Sequence, residues 1–104
     1  MTRQTDYTNE AQQRLLQIID LLAGHEVLGL PPSEIARAVG CGAATVTRDM
    51  ANLQHAGWAE RTPKGERWRL SPHPIQISVR CAAGWDEAKK DLQDIAQRYG
   101  RRAA

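Results

Sequence analysis

The chain lacks most of the features that mark secreted, membrane or catalytic proteins. Its 104 residues contain only two cysteines, Cys41 and Cys81, far apart in the sequence. No apolar run approaches the roughly 18 residues that a transmembrane helix needs. Residues 1–10 also lack the apolar stretch of a secretory signal. We therefore expect a soluble protein of a reducing cytoplasm that does not interact with membranes.

The motifs of common active sites are also missing. The chain has no glycine-rich phosphate loop, no serine elbow and no HExxH string. Its possible metal ligands do not show the close paired spacing of a zinc site. These ligands are His25, His55, His73, Cys41 and Cys81. We expect no metal, no cofactor and no enzymatic activity. Cys41 is interpreted as a substitute for a small apolar residue, with a redox-sensitive thiol as the alternative.

Length and charge fit one small domain with a basic C-terminal part. A chain of 104 residues allows one compact core. The net charge is only +2, but residues 1–40 carry three basic and five acidic side chains, whereas residues 41–104 carry eleven and seven. This asymmetry is compatible with a face that meets phosphate, although ordinary solvated charge explains it as well.

Apolar periodicity predicts two helices in the N-terminal part. The first begins after Thr8 or Asn9 and stops at Gly24. Its predicted core face comprises Ala11, Leu15, Ile18, Ile19 and Leu22. Residues 25–30 form an apolar connector that is compatible with a minor strand. The second helix begins at Pro31 or Pro32 and runs to Val39. Its predicted core residues are Ile35, Ala38 and Val39.

Residues 33–61 predict a helix-turn-helix. Gly40, Cys41 and Gly42 form the turn, and Gly42 takes the cap position of a helix from Ala43 to about His55. The inner face of this helix carries Val46, Met50 and Leu53. Its outer face carries Thr45, Thr47, Arg48 and Asn52. A polar helix face of this kind suits the major groove of DNA.

Two short strands around a Pro/Gly turn follow this helix. Residues 58–61 and 67–70 predict a β-hairpin in which Arg67 and Arg69 share one face. Trp68 and Leu70 share the other face. Trp58 and Trp68 are expected in the core rather than as stacking platforms for bases.

The C-terminal part predicts a further helix with an apolar seam. Ser71 is its expected cap, residues 75–81 are compatible with helix or strand, with helix favoured, and Gly84 is a possible break or bend. The seam residues recur at spacings of three and four. They are Trp85, Ala88, Leu92, Ile95 and Tyr99. The seam is assigned to homodimerisation, with an intramolecular brace as the alternative. Arg101 and Arg102 are expected to fray.

Together these segments resemble a winged helix-turn-helix domain over residues 9–70. Residues 45–50, with Leu53, Gly57 and Glu60-Arg61, resemble the recognition helix and wing start of DeoR-type repressors. Residues 15–24 followed by 35–39 resemble IclR-type regulators. The resemblance implies a mainly α fold, a winged helix-turn-helix with a three-helix core plus a β-hairpin wing, and the apolar spacing adds a C-terminal helix. Both families continue into an effector-binding domain, which we do not expect within these 104 residues.

The resemblance also assigns DNA-facing residues by position. They are Ala43, Ala44, Thr45, Thr47, Arg48 and Asn52 on the helix, with Lys64, Arg67 and Arg69 on the wing. Arg48 suits either a guanine edge or a phosphate. The alternative for Arg48 is a surface ion pair with Asp49 or another nearby acid, and Asp49 itself is expected to be structural.

The predicted organisation is a flexible N-terminus over residues 1–8, the winged domain over 9–71 and a helical extension over 72–104. The predicted function is sequence-specific or semi-specific binding of double-stranded DNA by a bacterial or phage transcriptional regulator, such as a repressor. The alternative is a winged-helix module that docks on a host protein without binding DNA. The low net charge and the alanines at the helix start favour this alternative somewhat.

Overall fold

The computed structural model describes residues 5–100, over which the chain forms four helices and one β-hairpin. The helices are α1 (Glu10–Leu22), α2 (Pro32–Val39), α3 (Ala43–His55) and α4 (Pro72–Arg98), and the strands are β1 (Ala59–Arg61) and β2 (Trp68–Leu70). This mainly helical architecture confirms the predicted fold. The chain divides into two compact units, with the boundary between His73 and Pro74.

Helix α1 starts and packs as its sequence predicts. The Asn9 side chain accepts the Gln12 backbone N–H at 3.0 Å, which satisfies one of the free donors of the first turn. Ile18 and Leu22 are buried, and Leu15 and Ile19 pack partly buried against the core. Ala11 was predicted to lie in the core but is exposed. It lies in the first turn of α1, three residues before Arg14, which is the first α1 residue that is not exposed.

The core forms where α1, α2 and α3 meet. Its fully buried side chains are Ile18, Leu22, Ile35, Val46 and Met50. On α2 the inward face runs through Ile35, Ala36 and Val39. The prediction for Ala38 was therefore wrong. At roughly 100° per residue Ala38 lies about 60° from Ile35 and about 100° from Val39, on the solvent side of that face.

The hairpin is antiparallel, with Glu60 opposite Arg69 and Arg61 opposite Trp68. One further residue extends it. Leu30 exchanges both backbone hydrogen bonds with Trp68, each 2.8 Å long. The connector over residues 25–30 is thus mostly turn, and only Leu30 pairs with the sheet. Trp68 is buried and Trp58 is half-buried, which confirms the expectation that the indoles lie in or against the core.

Helix α4 is continuous from Pro72 to Arg98. The Ser71 hydroxyl accepts the His73 backbone N–H at 3.3 Å, as expected of a cap. The helical interpretation of residues 75–81 is confirmed, and Gly84 does not break the helix. None of the described α4 side chains is buried. The predicted fraying concerns Arg101 and Arg102, which lie outside the described residues. The first half of the predicted flexible N-terminus lies outside them as well. Over residues 5–100, no helix combines the length and apolar character needed to cross a bilayer.

Candidate DNA-binding surface

The turn between α2 and α3 depends on glycine. Gly40 has φ +71°, and its N–H donates to the Ala36 carbonyl at 2.9 Å, so it ends α2 in the left-handed conformation that glycine adopts without strain. Gly42 then caps α3 with extended backbone and no side-chain hydrogen bond. The predicted turn and cap are confirmed, and together they direct the start of α3 outward.

Helix α3 has two distinct faces. Val46, Asp49, Met50 and Leu53 are buried. The opposite face is exposed and contains five of the six helix residues predicted to meet DNA. These are Ala43, Ala44, Thr47, Arg48 and Asn52, whereas Thr45 is half-buried at the edge.

Two of the exposed polar side chains bind their own helix. The Thr47 hydroxyl donates to the Ala43 carbonyl at 3.0 Å. The Asn52 amide donates to the Arg48 carbonyl at 2.9 Å. Each keeps an oxygen free to accept a hydrogen bond, and Asn52 keeps a second N–H. The Arg48 guanidinium forms no hydrogen bond or ion pair with another described residue, so all of its donors are available to a ligand.

Asp49, the acid beside Arg48, is held on the buried side. Arg14 of α1 forms a bidentate pair with it: Nε donates to Oδ2, and Nη2 donates to Oδ1 at 3.1 Å. The Asp49 carboxylate raises the pKa of Arg14 above its ordinary value. The expectation that Asp49 is structural is confirmed, and the alternative of an Arg48–Asp49 pair is wrong. No other acid occurs in α3, so its exposed face carries no carboxylate.

The wing arginines mostly bind the wing itself. Arg61 stacks on the Trp68 ring at 4.5 Å and donates to the Gly65 carbonyl at 2.8 Å. Arg69 pairs with Glu60 at 3.2 Å, which reduces its availability to a ligand. The Arg67 side chain is exposed and makes one long hydrogen bond, 3.4 Å, to the Gly29 carbonyl. Lys64 is exposed and has no partner among the described residues.

One candidate escaped the sequence prediction. His55 is exposed in the last turn of α3, three residues after Asn52 and seven after Arg48. This spacing puts the three side chains on one helix face. The same periodicity, extended one step beyond Asn52, would have identified His55 from sequence.

Metal binding finds no support in the described part of the chain. No three histidine, cysteine or acidic side chains approach one another closely enough to hold an ion there. Cys41 is half-buried in the turn, Cys81 is exposed on α4, and both are free thiols.

A helix-turn-helix whose second helix exposes a cationic face, followed by a two-stranded wing, defines a winged helix-turn-helix DNA-binding domain. The family model of the IclR helix-turn-helix domain matches residues 11–63, about half of the chain. The chain therefore belongs to the IclR helix-turn-helix family. The IclR-type resemblance is confirmed, and the DeoR-type one stays a resemblance in sequence.

Solved structures agree with this fold. An IclR-type transcriptional regulator of Alicyclobacillus acidocaldarius aligns over 86% of the chain with a TM-score of 0.68 and 22% identity. HmgR of Pseudomonas aeruginosa aligns over 84% of the chain with a TM-score of 0.65 and 18% identity. A further IclR-type regulator, from Silicibacter, aligns over 85% of the chain with a TM-score of 0.57 and 26% identity. The chain covers 37%, 39% and 32% of these three proteins, respectively. A comparison with curated protein sequences finds no significant match.

Proposed function

We propose that this domain binds double-stranded DNA as part of a bacterial transcriptional regulator, with α3 in the major groove and the wing on the adjacent backbone. The observation that carries the proposal is the exposed face of α3. It combines Arg48 and His55 with no carboxylate, because Asp49 is buried and paired with Arg14. Such a protein would act where the genome lies, in the cytoplasm.

The proposed contacts divide by chemistry. Arg48 is suited to bind guanine O6 and N7 or to clamp a phosphate. Thr45 and Thr47 suit phosphate oxygens, which position the helix without reading sequence. The methyl groups of Ala43 and Ala44 suit thymine methyls. On the wing, Lys64 and Arg67 are the more available cations, because Arg69 is paired with Glu60.

We further propose that two copies pair through α4. Its seam residues are Trp85, Ala88, Leu92, Ile95 and Tyr99, and its large members are 74%, 67%, 50% and 78% exposed in the order Trp85, Leu92, Ile95, Tyr99. An apolar stripe of this kind on one helix is stabilised by a second stripe. Two-fold pairing would let two recognition helices read half-sites about 34–36 Å apart.

The test is a gel-shift titration at several salt concentrations, with DNA fragments from the source genome. Arg48→Ala should weaken binding about 5- to 150-fold, which corresponds to roughly 1–3 kcal/mol for a lost bidentate contact. Lys90→Ala is the matched control, since Lys90 is an exposed cation on α4. Wild-type affinity should fall steeply as salt rises.

Equal binding by wild type and Arg48→Ala at every salt concentration would contradict the assignment of Arg48. A wild-type protein that ignores DNA at low salt, stays monomeric and is retained on one host protein would instead support the protein-docking module.

A further inference from the structure

Arg14 and Asp49 form a directional link between α1 and the recognition helix. They lie 35 residues apart in sequence, and their side chains are 20% and 8% exposed. A guanidinium fork that binds both carboxylate oxygens fixes the direction of approach as well as the distance. Among the described residues, no other side-chain hydrogen bond joins these two helices. The Arg14–Asp49 pair is therefore the contact that favours one orientation of α3 relative to α1 over slightly different orientations.

The other buried α3 side chains, Val46, Met50 and Leu53, are apolar. Apolar burial is non-directional, so it determines which face of α3 is buried but tolerates small rotations of the helix about its axis. Rotation matters at the exposed face. With its side chains a helix has a radius of roughly 5–6 Å, so a 20° rotation displaces a side-chain tip by about 2 Å. A binding contact tolerates only about 0.5 Å.

We propose that Arg14 is a positioning residue for DNA recognition: through Asp49 it sets the rotation of α3 and therefore the place where Arg48 meets the DNA. The consequence for DNA rests on the proposed function, but the rotation itself can be measured without DNA. Asp49 and Arg48 are adjacent and thus about 100° apart on the helix, so fixing Asp49 inward turns Arg48 toward solvent.

Replacing both partners separates positioning from stability. The double variant Arg14→Met, Asp49→Leu keeps the net charge and leaves no buried charge unpaired, so its folding stability should be close to that of wild type. Arg14→Lys keeps the charge but loses the fork. The control is Asp86→Leu with Lys89→Met, which removes an exposed ion pair of 3.8 Å from α4.

The first readout is the set of backbone N–H residual dipolar couplings along α1 and α3, whose periodic phase reports helix rotation. The second is the ratio of affinities for two duplexes, one selected by wild type from a random-sequence pool and one scrambled. The ratio should fall about 10-fold or more in the double variant, comparable to losing one base contact, while affinity for scrambled DNA changes little. The α3 phase should shift, and the control should match wild type on both readouts.

An unchanged phase together with an unchanged ratio in the double variant overturns the proposal. Arg14→Lys gives an independent decision if the double variant does not fold. A purely structural role predicts a lower melting temperature for Arg14→Lys with the wild-type ratio, whereas positioning predicts a lower ratio at temperatures where the variant is fully folded. If wild type itself does not distinguish the two duplexes, the proposed function fails. The dipolar couplings then test by themselves whether Arg14 sets the rotation of α3.

Discussion

Replacing Gly29 by alanine should destabilise the junction between the α1–α2 connector and the wing. Gly29 has φ +70°, and a Cβ added there would lie 2.8 Å from the Trp68 carbonyl oxygen and 2.9 Å from Thr62 Cγ2. The left-handed conformation costs an L-residue about 1–2 kcal/mol. The close contacts add about 1–3 kcal/mol, the usual cost of overpacking. The Trp68 carbonyl cannot retreat easily, because it accepts the Leu30 N–H at 2.8 Å.

Gly24→Ala isolates the conformational part of this cost. Gly24 also has positive φ, +92°, but an added Cβ would meet nothing within 4 Å. Gly24→Ala should therefore cost only about 1–2 kcal/mol. Gly29→Ala should exceed it by about 1–3 kcal/mol.

The measurement is urea unfolding followed by tryptophan fluorescence, which reports on the buried Trp68. With slopes of about 1–3 kcal/mol per molar urea, Gly29→Ala should unfold at a midpoint roughly 1 M below that of Gly24→Ala. Equal midpoints for the two variants would refute the argument that the Leu30–Trp68 pairing leaves no room for a side chain at position 29.

Three further predictions concern pairing, packing and pH. Because Cys81 lies seven and fourteen residues before Ala88 and Ile95, parallel pairing through the seam should place the Cys81 side chains of the two copies opposite each other. Mild oxidation should then give a disulfide-linked dimer on non-reducing gels, whereas a monomer in light scattering at high concentration would contradict pairing. Met50→Ala should cost about 2–5 kcal/mol in urea unfolding, since Met50 is 0% exposed, whereas Leu16→Ala, at a 57% exposed site, should cost far less; similar losses would disprove the core assignment. The hydrogen bond from the Gly24 N–H lowers the pKa of Glu26. Any stabilisation by this carboxylate is therefore present above the pKa of Glu26 in the unfolded chain and is lost as the pH falls through its pKa in the folded protein. An NMR titration that gives Glu26 a pKa at or above the ordinary glutamate value would contradict this.

The local sequence pattern was sufficient to predict the helices of this domain. Helical spacing of apolar residues, the Asn9 cap and the Gly40–Gly42 turn all act within a few residues, so they can be read directly from sequence. The errors have equally local causes. Ala11 satisfies the spacing but lies outside the region that other helices cover. Gly84 does not interrupt α4, because one interior glycine costs a helix only about 1 kcal/mol.

Contacts between distant segments could not be predicted in this way. Arg14 has several acids within reach in principle, and only the packed fold determines that Asp49 is its partner. The Leu30–Trp68 pair likewise joins segments far apart in sequence. For the candidate site, sequence therefore located the exposed face of α3. It did not reveal that Glu60 engages Arg69, or that Arg61 supports the wing.

The way the wing uses its arginines limits how its proposed DNA contacts can change over evolution. Arg61 and Arg69 each bind a wing partner, so replacing either one removes a hydrogen bond within the hairpin together with a charge. Lys64 has no such partner in the described part of the chain, and its substitution would change only charge. Variation in what the wing contacts is therefore least constrained at Lys64, and counterion release on binding should be smaller than the number of wing cations suggests.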